Sequence, residues 1–226
     1  MREPQDQTAS REAVWSALGT VLDPELDEPL TDLGFVAECR VVGGHAVVRL
    51  RLPTYFCAPN FAFLMVADAY DAVSALPGVT SVDVRLVDHF AADVINNGVA
   101  RRAGFVASFS GEAVQELDSL RADFLRRAVL AGTDRVCRGL DRSSLPGLTL
   151  GDVPPGPAVE RLRARRRELG LPCADSSPLL IDPLSGEPVR DPRRHLAFAR
   201  VTRVSQEANS GVCRGMLAAR YSEETT

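Results

Sequence analysis

The chain has 226 residues and a mass of 24.4 kDa, with 45% hydrophobic and 25% charged residues, the proportions of a water-soluble globular protein of one generous domain or two small ones. No stretch of 18 apolar residues occurs, so a helical membrane span is excluded, and the opening MREPQDQTAS lacks the apolar core expected of a secretory signal. Five cysteines without a CxxC pair exclude a tetrathiolate zinc ribbon and argue against a disulfide scaffold, so a reducing cytoplasm is the expected location. All 26 basic residues are arginine, and the net charge of −4 is uneven: residues 1–110 hold 8 Arg against 14 Asp and Glu (−6), residues 111–226 hold 18 against 16 (+2). An acidic first half repels phosphate, which argues against nucleic acid as a partner.

In chain order, Ser10 is placed to cap a helix whose inward face is Ala13, Val14, Ala17, Leu18 and Val21, stopping near Asp23-Pro24 because proline disfavours helical dihedrals in the residue before it. Phe35 to Val42 alternates, Gly43-Gly44 suits a two-residue turn, and His45 to Leu52 alternates in return, the pattern of a β-hairpin. A second helix follows Pro59, with Phe61, Leu64, Met65, Ala69, Ala72, Val73 and Leu76 on its apolar positions and Pro77-Gly78 ending it; Ser81 to Val87 then predicts a third strand. The fold class is α/β (α+β): a helix-strand-strand-helix-strand domain over residues 1–108 with a small helix-covered sheet, followed by a helical and irregular extension over 109–226. In that extension Glu112 to about Leu140 predicts a long helix. Residues 141–192 predict a proline-rich extended arm interrupted by a basic helix, Ala158 to Leu169, and His195 to Tyr221 a strand and a short helix.

Cys57 is the most informative candidate. It stands just before a helix with proline in its first turn, where unpaired N–H groups and the helix dipole favour the thiolate, the form that binds iron or zinc and attacks electrophiles. A small buried hydrophobe is the equal alternative. Asp23 and Glu25 lie in the turn after the first helix as hard oxygen ligands or a base, or simply as a turn former and a solvated acid. Asp32 reads as a turn former. His89, with Asp93 four residues on, could form a weak ligand pair, though such a histidine is more often a capping residue. Cys39 and Cys137 read as packing, His45 as exposed, and His195, Cys173 and Cys213 lack any zinc spacing. Arg161, Arg163, Arg165, Arg166 and Arg167 form a basic stripe suited to an acidic protein surface, with a solvated helix face as the default.

Three segments resemble one family. Val21-Leu22-Asp23-Pro24-Glu25-Leu26 with Leu30-Thr31-Asp32-Leu33-Gly34-Phe35-Val36, then Leu52-Pro53-Thr54-Tyr55-Phe56-Cys57-Ala58-Pro59, then Pro77-Gly78-Val79-Thr80-Ser81-Val82-Asp83-Val84 are similar to the motifs of the iron–sulfur cluster assembly domain, with its SufT-like, PaaD-like and cytosolic cluster-targeting members. The likeness covers roughly residues 10–105. It departs in Ala58, where the family has proline after its reactive cysteine; in Val87 to Ala91, which replace a tryptophan-rich stretch; and in lacking a cysteine-rich zinc module.

The resemblance implies a maturation factor that is not an enzyme. Cys57 would hold iron or an iron–sulfur cluster transiently, Asp23 and Glu25 would flank it as ligands or proton acceptors, Thr54 would shape the loop, and His89 would be an additional candidate metal ligand. The client would be a metalloprotein, in the first instance a di-iron hydroxylase subunit of a multicomponent monooxygenase, engaged by the basic arm; a homo-oligomer is compatible with the sequence, and neither nucleic acid nor membrane is expected. Two rivals stand beside it: a metal-free assembly chaperone acting through residues 141–226, and a cysteine-nucleophile enzyme pairing Cys57 with His89.

Overall fold

The computed structural model describes residues 9–141 and 143–222; residues 1–8, most of the segment read against a secretory signal, lie outside them. The Ser10 hydroxyl accepts the Ala13 N–H at 3.1 Å and starts α1 (Arg11–Leu18), with Val14 and Leu18 buried. The helix ends at Leu18, short of Asp23, because residues 22–29 fold back as a two-stranded hairpin, β1 (Leu22–Asp23) against β2 (Glu28–Pro29). One helical turn, α2 (Leu30–Leu33), closes on Gly34, whose φ of 76° is the left-handed conformation that a side chain resists.

β3 (Val36–Val42) and β4 (His45–Leu50) pair antiparallel, with Val42 opposite His45 and Cys39 opposite Val48. Gly43 and Gly44 between them have φ of 56° and 79°, the double positive φ of the hairpin turn that matches strand twist. α3 (Pro59–Ser74) then crosses over and β5 (Ser81–Leu86) pairs parallel to β4, Val48 beside Val84, giving the strand order β3-β4-β5. Ala46, Val48 and Leu50 of β4 point into a core completed by Val14, Leu18, Phe35, Met65, Val66, Val73 and Leu86, so one sheet face is covered by helices. α4 (Ala92–Ala100) and α5 (Phe105–Ser108) follow; the Glu116 carboxylate accepts the N–H groups of Phe105 and Val106 at the start of α5.

The sequence reading divides the chain at 108/109; the two compact units divide at Leu117/Asp118 and again at Asn209/Ser210, so residues 210–222 belong with 9–117. The second unit, 118–209, contains α6 (Asp118–Cys137), α7 (Pro157–Glu168) and most of α8 (Pro192–Arg220), around a small core that includes Val129, Leu145, Leu150, Leu162 and Leu179. α6 is shorter than the expected 112–140 because Glu116 is occupied at α5.

Residues 195–221 form no strand and no short helix: 192–220 is one continuous helix. Its inward positions recur every three or four residues, but several are polar (Arg203, Gln206, Ser210), which hides the period from a hydropathy reading. The basic stripe is also corrected. Arg163 donates to the carbonyls of Leu150 and Cys173 and to Asp175, Arg165 pairs with Glu168, and Arg166 is fully buried with its guanidinium on the carbonyls of Pro172, Pro178 and Leu179. Arg163 and Arg166 thus hold the proline-rich segment in place and are not free to dock a partner, while Arg161 and Arg167 stay exposed on the solvated face. Among the described residues no helix is long and apolar enough to cross a membrane.

Candidate functional site

Cys57 ends the loop between β4 and α3, one residue before the Ala58 cap and two before Pro59 at the first position of the helix. Its side chain is half-buried against the first unit's core, and its sulfur lies 3.3 Å from the Thr54 hydroxyl. The loop is pinned from behind. His89, 4% exposed, accepts the Ala91 N–H on Nδ1 at 3.1 Å, which leaves Nε2 as the protonated nitrogen, donating to the Cys57 carbonyl at 2.7 Å. Phe90 N–H donates to the Tyr55 carbonyl at 3.1 Å. Burial lowers the His89 pKa, outweighing the carbonyl bond that raises it, with the Arg220 charge adding to the lowering.

His89 therefore faces the backbone of Cys57 and not its sulfur, and both ring nitrogens are engaged. It offers neither the metal lone pair nor the thiol-directed base that the sequence suggested, and Asp93 is exposed rather than paired with it. What it supplies is position.

Asp23 organises the acidic turn. Its Oδ1 accepts the N–H groups of Glu25 and Leu26, both at 2.9 Å, and its carbonyl accepts that of Asp27, whose φ is 55°. The carboxyl is only 8% exposed, and burial pushes it up to about 6 against the pull of those two hydrogen bonds, with the Glu25 and Glu28 charges adding to the rise.

A residue given little weight in the sequence stands with these groups. Cys213, in the last turns of α8, is half-buried against the same core as Cys57. Burial pushes its thiol up to about 11, with the charges of Asp23, Cys57 and Glu25 raising it further and Arg214 opposing them, so the two sulfurs and two carboxylates lie within electrostatic reach. The signal that could have found it is its place four residues before Leu217 on a buried stripe. Among the described residues no three His, Cys, Asp or Glu side chains converge tightly enough to hold a metal ion, so Cys57, Asp23, Glu25 and His89 are not a preassembled ligand set.

Around the Cys57 loop the surface is apolar. Tyr55, Phe56 and Phe90 are exposed, Phe56 by 76%, with ring centroids 5.0 Å (Tyr55–Phe56) and 5.8 Å (Phe56–Phe90) apart.

Residues 11–84 match the model of a family described as iron-sulfur cluster assembly protein. The iron-sulfur cluster carrier protein of Synechocystis sp. is 37% identical over 75 residues, covering 33% of this chain and 21% of that protein, so the match spans about a fifth of the relative's length. No solved structure matches.

Proposed function

Because residues 11–84 form a domain of the iron–sulfur cluster assembly family, we propose that this protein is a maturation factor, cytoplasmic in setting, that holds iron or an iron–sulfur cluster transiently on Cys57 and releases it to a client metalloprotein. One observation carries the reading: the cysteine of the family-matching segment sits half-buried at a loop mouth whose backbone is clamped by His89, with its sulfur turned to the Thr54 hydroxyl. A soft sulfur suits iron, and once the thiol gives up its proton to solvent as the sulfur–iron bond forms, the Thr54 hydroxyl becomes the donor in their hydrogen bond. With no complete ligand cage among the described residues, bound iron keeps open positions, and a client's own ligands can enter them. The exposed aromatic trio beside the loop offers the client an apolar contact next to the cargo.

The test is anaerobic reconstitution with ferrous iron and sulfide, followed by transfer to an apo-protein. The di-iron hydroxylase subunit suggested by the sequence is the first client to try. Cys57→Ser is expected to abolish cargo retention and transfer while preserving the circular dichroism spectrum. Undiminished client activation by Cys57→Ser sinks the carrier reading and leaves a metal-free chaperone. In that case the function follows the aromatic surface, and Phe56→Ser becomes the damaging change.

A further inference from the structure

The end of α8 is a docked face. Ser210, Cys213, Arg214, Leu217, Arg220 and Tyr221 recur at the spacing of one helical side, and each is held in the first unit. Arg214 donates to the Glu28 carboxylate at 2.5 Å and to the Asp32 carbonyl at 3.4 Å, reaching the acidic turn. Leu217 is buried in the core and lies against Gly34, where an added Cβ would meet its Cδ2 at 3.3 Å. Arg220 donates to the carbonyls of Leu52 (3.1 Å) and Asp88 (2.6 Å), and the Tyr221 hydroxyl donates to the Asp88 carboxylate at 2.9 Å, with the Arg51 guanidinium over its ring.

One end of this face is thus tied to the turn that begins at Asp23 and the other to the two backbone segments that lead into the Cys57 loop and into His89. Cys213 lies on the same face beside Arg214 and is half-buried. It packs on the same core as Cys57, and the negative charges acting on it come from Asp23, Glu25 and Cys57.

We propose that Cys213 is the second sulfur ligand of the Cys57 site, so that the cargo is held between one thiolate from the loop after β4 and one from α8. The inference rests on the carrier reading and deepens it. A lone monodentate thiolate competes poorly with the free thiols of a reducing cell; two sulfurs from one chain form a chelate, and each thiol releases its proton to solvent as its bond to the metal forms. Two sulfurs also leave part of the coordination sphere open, so the cargo stays exchangeable. The contribution comes from outside residues 11–84, so it is a property of this chain's extension rather than of the matching domain.

Anaerobic titration of the full-length protein with Co(II), a spectroscopic probe for thiolate-bound iron, tests it. Cys213→Ser is expected to lose about half of the sulfur-to-cobalt charge-transfer intensity and at least about tenfold in affinity. Cys57→Ser should lose as much or more, and Cys173→Ser, in the second unit, nothing. A full band and unchanged affinity in Cys213→Ser, with loss confined to Cys57→Ser, overturns the inference and leaves the carrier reading standing. Full binding by Cys57→Ser overturns both. Phenylarsine oxide, which bridges paired thiols, supplies a measurement on unmutated protein. It is expected to join the peptides that carry Cys57 and Cys213, and modification of each sulfur separately counts against the pairing.

Discussion

Asp23 keeps a carboxyl group where water scarcely reaches it, and the fold is less stable for it. Its ordinary pKa of 3.8 rises to about 6 in the folded chain, so between those values the folded state binds the proton and the unfolded state does not. Stability contributed by this group is therefore full below pH 4, falls as pH climbs through 6, and stays reduced above. The loss amounts to roughly 2–3 kcal/mol at about 1.4 kcal/mol per unit. Asn at this position can still accept the Glu25 and Leu26 N–H bonds but never ionises. The stability of Asp23→Asn relative to the natural chain should therefore improve by roughly 2–3 kcal/mol between pH 4 and pH 7.5. Urea unfolding followed by Trp15, the sole tryptophan and a part of α1, reads this unit directly. A gap that stays constant with pH places the cause elsewhere. His89 has the complementary task. Removing it in His89→Ala frees the Cys57 carbonyl and the Ala91 N–H, two bonds together worth about 2 kcal/mol of loop closure. Alkylation of Cys57 by iodoacetamide should quicken by at least about tenfold, and an unchanged rate means the loop is held by something else.

At the scale of elements, the sequence was most legible where chemistry and period agree. The Gly43-Gly44 turn, the two alternating strands around it and the proline-started helix after Cys57 follow from residues alone, because each local preference points the same way as the tertiary fold. The first helix stopped early because β1 and β2 claim residues that a proline rule assigned to its end. α8 was illegible for a different reason. Its buried side carries Arg203, Gln206 and Ser210, and Arg203 is tied to Asp134, 69 residues away, a partner that no local window contains. The same distance concealed half of the site: Cys57 announces itself by standing before a helix, whereas Cys213 gains meaning only from a docking that tertiary contacts decide. That docking has a direct measure. Leu217 is 7% exposed, so Leu217→Ala should lower the stability of the Trp15-reported unit by about 2–4 kcal/mol. Val212→Ala, on the exposed side of the same helix, should leave it unchanged. Equal effects of the two changes would show that the helix end does not pack where the contacts put it.

Charge is divided between the units more sharply than along the chain. Counting all residues, 1–117 with 210–226 hold 10 Arg against 18 Asp and Glu, a net of −8, while 118–209 hold 16 against 12, a net of +4. The candidate site lies in the acidic unit, among Asp23, Glu25, Asp27, Glu28 and Asp32, with Glu28 the member paired to Arg214. At low salt such a field concentrates metal cations and repels small anions; it fades as the Debye length shrinks to about 10 Å near 0.1 M salt. Thiol reagents separate this effect from coordination. Iodoacetate carries a negative charge and iodoacetamide none, and both alkylate the same sulfur, so the ratio of their rates at Cys57 reads the local potential and cancels accessibility. That ratio should sit well below the value for a free thiol at low ionic strength and climb several-fold toward it as salt rises through 0.2 M or so. Asp23→Asn should raise it at low salt without altering the high-salt limit. A ratio indifferent to salt would mean that the acidic unit does not focus its charge on the cysteine, and cation capture would then depend on the sulfurs alone.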